Sequence, residues 1–108
     1  MRLNNAQVIG AAALTDVELV PARTGRAIAV KMVTFTTSVA NQISIEAGTT
    51  NLKWRGFHAA NGGMTVAAPA SGGGHDEPWL FTTAPGEALT ITSTGAGNLF
   101  AHVLYAYI

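Results

Sequence analysis

Short runs in which apolar and polar residues alternate, broken by glycine, proline and asparagine, fill most of this chain and predict strands. Ile43, Ile45 and Ala47 alternate with Gln42, Ser44 and Glu46, the period of two of a strand with one face in a core. Leu89, Ile91 and Ser93 alternate in the same way with Ala88, Thr90 and Thr92. Within residues 16–20, Val17 and Leu19 share one side, and Pro21 closes the run. Leu52 and Trp54 alternate with Asn51, Lys53 and Arg55 behind a Gly48-Thr49 hairpin hinge. The longest β-rich run, residues 26–38, sets Ile28, Val30 and Met32 on one face and Ala29, Lys31, Val33 and Phe35 on the other. Strict alternation fails near Val33, so a bulge or a mid-strand change of partner is expected there. Residues 64–68 and 79–83 read as further short strands. Asn61-Gly62, Gly95 to Asn98 and Ala84-Pro85-Gly86 read as turns, the last of type II by its proline and glycine positions.

The last strand differs from the others. Leu99, Ala101, Val103, Tyr105 and Tyr107 lie on one face, and Phe100, His102, Leu104, Ala106 and Ile108 on the other. A strand apolar on both faces is either central in a two-sided arrangement or has one face against another subunit, and in a small all-β protein the second is expected. No apolar stripe recurs at helical spacing, and no crossover helices for an open α/β sheet are visible. The expectation is a single-domain, all-β sandwich of seven to eight short antiparallel strands over residues 16–108. Residues 1–15, with Asn4-Asn5, Gln7 and an alanine-rich patch, read as an extended N-terminal arm. The expected core is Ile28, Val30, Ile43, Ile45, Leu52, Trp54, Leu89, Ile91 and Val103.

Composition sharpens this. Of 108 residues, 48% are hydrophobic and only 11% charged, with zero formal net charge. Six Lys and Arg against six acids give no basic stripe, so nucleic acid is not an expected partner. Low charge gives little repulsion between copies and suits a subunit that is buried in an assembly. Cysteine is absent, so disulfides and thiolate chemistry drop out. The run Gly10-Ala-Ala-Ala-Leu14 is too short for a signal core or a membrane span, so synthesis in the cytoplasm and no membrane partner are expected.

Candidate chemistry is sparse. His75-Asp76-Glu77 is the one dense polar cluster, but adjacent carboxylates point different ways and one histidine gives neither a metal triad nor an oriented base. Adding Ser71 as a nucleophile would leave it without a rigid turn. Gly72-Gly73-Gly74 lacks the Lys-Ser/Thr of a phosphate loop. His58 is expected at the surface, and His102 as a hydrogen-bonded histidine that three copies could bring to an axis. Trp54, Phe57, Trp79, Phe81, Phe100, Tyr105 and Tyr107 could form a sugar platform, though their strand positions favour packing. No catalytic, metal or cofactor site is expected, and the chain does not read as an enzyme.

Several blocks together carry a resemblance. They are Val20-Pro-Ala-Arg-Thr-Gly-Arg-Ala-Ile-Ala-Val30, His58-Ala-Ala-Asn-Gly-Gly63, Trp79-Leu-Phe-Thr-Thr-Ala-Pro-Gly-Glu-Ala-Leu-Thr-Ile91 and the closing His102-Val-Leu-Tyr105. From about Val17 to Tyr107 the chain resembles a family of small virion accessory proteins of tailed bacteriophages, which decorate or cement the head or contribute to fibres. It departs in residues 64–78, which are longer than the usual link, and in residues 48–56. The resemblance implies a jelly-roll-type sandwich, a homotrimer and contact with the major capsid protein at the capsid surface. It also implies a structural role without cofactor; on that reading the arm, residues 1–15, and one loop end of the sandwich are expected to meet the shell. The alternatives are a trimeric fibre or spike component, or a carbohydrate-binding module.

Overall fold

A computed structural model describes residues 3–68, 78–95 and 97–108, and every regular element in them is a strand. In chain order these are β1 (Asn4–Gly10), β2 (Val17–Val20), β3 (Ile28–Thr37), β4 (Asn41–Ala47), β5 (Asn51–His58), β6 (Gly62–Ala67), β7 (Phe81–Thr82), β8 (Leu89–Ser93) and β9 (Leu99–Tyr107). They pair antiparallel in two sheets. The first has the order β1-β9-β3-β6, with β7 on the same edge of β3 as β6; the second has the order β2-β8-β4-β5. Consecutive strands cross repeatedly between the two sheets, and the interleaved orders are those of a jelly roll. The all-β sandwich is therefore as the alternation predicts, with one strand more. That strand is β1: residues 4–10 of the expected arm lie along β9 as the edge of the first sheet.

The core forms where the inward residues of the two sheets meet. Ile43, Ile45 and Ala47 of β4 and Leu89 and Ile91 of β8 face Val33 and Phe35 of β3 and Ala101 and Val103 of β9, all buried. Each fully buried Ile, Leu or Phe contributes roughly 1.5–3 kcal/mol through area removed from water. Trp54 of β5 is half-buried and stacks on Phe35, ring centroids 5.0 Å apart at 17°.

Three bulges set which residues join this core. The register of β3 slips between Val30 and Met32, and at the same place its outer-edge partner changes from β7 to β6. The broken alternation foretells this event, but Lys31 is the extra residue. Met32 therefore leaves the Ile28–Val30 side and faces outward, opposite Leu104. A second slip, between Ile45 and Glu46, leaves Lys53 unopposed, so Trp54 pairs with Ile45 while Leu52 pairs with outward Glu46. Leu52 is 48% exposed, which corrects its expected place in the core. A third, between Glu18 and Val20, sets Val17 and Val20 opposite Ile91 and Leu89, with Leu19 also buried.

The turns follow their residue chemistry. At Ala84-Pro85-Gly86 the Glu87 N–H donates to the Ala84 carbonyl at 3.2 Å and Gly86 has φ 83°, as a type II turn requires. Buried Asn41 pins the turn after β8, its Oδ1 accepting the N–H groups of Thr94 at 3.0 Å and Gly95 at 2.8 Å.

Candidate interaction face

The outward side of the first sheet is the surface on which sequence and fold converge. Because residues on one strand alternate between faces, those left outside the core align across β1, β9, β3 and β6 in three rows. Cross-strand register gives Asn5–Leu104–Met32–Ala67, then Gln7–His102–Thr34–Thr65, then Ile9–Phe100–Thr36–Gly63. The first and third rows carry the large apolar groups. Leu104, Met32 and Phe100 are half-buried, and Ile9 is 76% exposed. The middle row is polar and internally bonded. His102 Nε2 lies 3.0 Å from Asn5 Oδ1, and the Thr34 and Thr65 hydroxyls lie 3.0 Å apart.

An open depression of about 750 Å³ lies at the third-row end, lined by Ile9, Phe100, Thr36 and Gly63 together with Asn61 and Asn98 of the adjoining turns. Gly63 helps to shape it by having no side chain. A Cβ there would fall 2.3 Å from the Phe35 carbonyl, because β6 and β3 run close at that point.

Charge divides the molecule. Among the described residues of β1, β9, β3, β6 and β7 the one formal charge is Lys31. It sits at the bulge, with Nζ 3.1 Å from the Pro78 carbonyl and 6.0 Å from the Trp79 ring centroid. The second sheet carries Glu18, Glu46, Lys53 and Arg55, and Asp16 and Glu87 flank its strands. Its outer side is thus the charged one, with Arg55 Nε bonded to Ser44 Oγ at 3.0 Å, and it also exposes Leu52 and Phe57 of β5.

The other predicted groups scatter. Ser71, Gly72–Gly74 and His75-Asp76-Glu77 lie outside the described residues. His58 is half-buried, contrary to the surface position expected of it. It faces inward opposite Asn41, its ring lies 6.1 Å from that of Trp54, and its buried Nε2 has no hydrogen-bond partner. The aromatics also separate. Trp54 stacks in the sandwich, Tyr105 is buried, Trp79, Phe81, Phe100 and Tyr107 are half-buried, and Phe57 is 78% exposed on the outer side of β5. Among the described residues, then, no strand face presents two largely exposed aromatic rings.

At one end of the sandwich the Tyr107 hydroxyl donates to the Pro21 carbonyl at 2.6 Å, and the Arg23 guanidinium sits 4.1 Å from the ring centroid. Burial, foremost, and then Tyr105 push the Tyr107 phenol above the usual tyrosine range, against the opposing pull of Arg23. Among the described residues no three His, Asp or Glu side chains converge as a metal would need.

Sequence reasoning found Phe100, His102 and Leu104 but missed Ile9, Met32 and Gly63. The first belonged to a segment read as an arm, the second was displaced by a bulge, and the third matters through what it lacks. No protein-family model matches the chain, and no curated protein does.

Proposed function

We propose that this protein is a structural virion component that decorates or cements a tailed-bacteriophage capsid, held by contacts with the major capsid protein and with copies of itself. The observation that carries the reading is the chemical contrast between the two sheet faces. One outer side has apolar rows and, among the described residues, no formal charge on its strands beyond Lys31 at the bulge; the other carries Glu18, Glu46, Lys53 and Arg55 beside exposed Leu52 and Phe57, so the contrast lies in charge. Depletion of charge with retention of aromatic and aliphatic side chains is the composition of a protein interface core. A rigid jelly roll with one such face suits a mechanical task, in which each copy ties neighbouring parts of a lattice and many weak contacts add through avidity. The motif blocks that resemble phage accessory proteins point the same way. The task uses no cofactor and no catalytic group.

The test is attachment. Purified protein mixed with undecorated heads should co-sediment with them to saturation, and antibody-labelled virions should show label on the head in negative stain. Failure to sediment with heads, or label confined to the tail, would overturn the reading.

A further inference from the structure

We infer that the outward face of the first sheet is where two copies of this chain pack against one another, leaving the charged second sheet outermost on both sides of the pair. The pairing deepens the function proposed above and rests on it for the premise that copies associate, as a pair in place of the homotrimer that the resemblance implies. Three observations select a second copy as the occupant.

The face complements itself. A polar row lies between two rows that carry apolar groups, so a two-fold axis in the plane of contact sets the polar row on itself and the apolar-bearing rows on themselves or on each other. This holds whether the axis runs along the strands or across them. A shell protein would match this banding only by having evolved the same pattern, whereas a second copy has it already.

The face also raises no electrostatic barrier to self-contact. A two-fold contact brings a charged group near the axis close to its own equivalent, and any patch of one sign against itself, which is costly. Among the described residues the three rows contain no Asp, Glu, Lys or Arg. The second sheet, with Glu18, Glu46, Lys53 and Arg55, would have to bury charges to pair in the same way.

Its size fits as well. Four strands at ~4.8 Å spacing and six to ten residues at ~3.4 Å rise give a footprint of about 500 Å² before side-chain corrugation. A specific interface takes roughly 600–1,000 Å² of accessible surface from each partner, which the flat footprint approaches only once side-chain corrugation is added. Pairing should therefore be specific but reversible on dilution.

The experiment is sedimentation velocity and light scattering on the full chain and four single variants, with circular dichroism to confirm the fold. The wild type should show twice the 11.1 kDa chain mass at tens of micromolar and dissociate on dilution. Ile9→Glu and Leu104→Glu enter the contact twice, once from each copy, and should raise the dissociation constant at least about tenfold. Ile9 is 76% exposed within its own chain, so that variant folds even if Leu104→Glu does not. Lys53→Glu and Glu46→Lys, on the second sheet, should leave the mass doubled. A monomeric wild type, a tripled mass, or pairing that survives Ile9→Glu would each overturn the pairing. If the wild type is monomeric and Ile9→Glu abolishes binding to heads, the face belongs to the shell. A wild type that pairs but does not bind heads leaves the pairing standing and removes the capsid role.

Discussion

Replacing Gly56 by alanine tests the packing of the aromatic stack at the β5 edge. The new Cβ would sit 2.2 Å from Trp54 Cη2 and 2.9 Å from Cζ2. Restoring an ordinary carbon contact of ~3.5 Å requires the indole to move by more than about 1 Å. It cannot move inward, because its other face lies on the ring of fully buried Phe35. It must slide toward solvent, losing about 0.5–1.5 kcal/mol of ring stacking together with part of its burial. Overpacking of this kind costs ~1–3 kcal/mol, while the stiffer unfolded chain of Gly→Ala returns only ~0.4–1 kcal/mol. The net expectation is a loss of roughly 1–3 kcal/mol, seen as a melting temperature lower by about 4–8 °C for each kcal/mol. The chain has two tryptophans, so Trp79→Phe makes Trp54 the sole emitter, and Gly56→Ala in that background should shift its emission to the red. An unchanged melting temperature with unshifted emission would show that the indole does not rest on Gly56.

Two further outcomes follow. Leu52→Gln should change stability by less than about 0.5 kcal/mol in urea denaturation, as surface substitutions do, whereas Ile45→Ala, its inward neighbour across the bulge, should cost ~2–5 kcal/mol; equal losses would place Leu52 in the core after all. The raised Tyr107 phenol makes the folded chain hold that proton longer than the unfolded chain. Its stabilising contribution is therefore complete below the unfolded value near pH ~10 and is lost as pH rises through the folded value; a Tyr107→Phe variant whose alkaline melting profile falls as steeply as that of the wild type would refute it.

Much of the sandwich is visible in the order of residues because β4 and β8 are paired along both edges and keep their large apolar residues on one face, so their alternation runs unbroken. The type II turn at Pro85-Gly86 is equally plain, since proline and glycine each admit little else there. Bulges are harder to read. An extra residue is defined against a partner strand, and a four-residue stretch such as Leu52 to Arg55 alternates equally well with or without it. β1 hides for another reason. Its inward residues are Ala6 and Val8, a small apolar content for a strand that covers only the margin of the core. The interaction face combines both difficulties. Phe100 and Leu104 are apparent along one strand, but the rows that join them to Ile9 and Met32, and the absence of charge across four strands, exist only once the register is known.

The position of β9 governs how the chain can acquire its structure. It comes last among the described strands, yet it lies between β1, the first of them, and β3. Until it docks, β1 has no neighbour to hydrogen-bond and one edge of β3 has no companion, so the first sheet waits on a nine-residue strand late in the sequence. Ends that must meet across nearly the full length of the chain make for slow assembly, on the order of milliseconds to seconds for such topologies. Throughout that interval two uncovered backbone edges stand open to nascent neighbours.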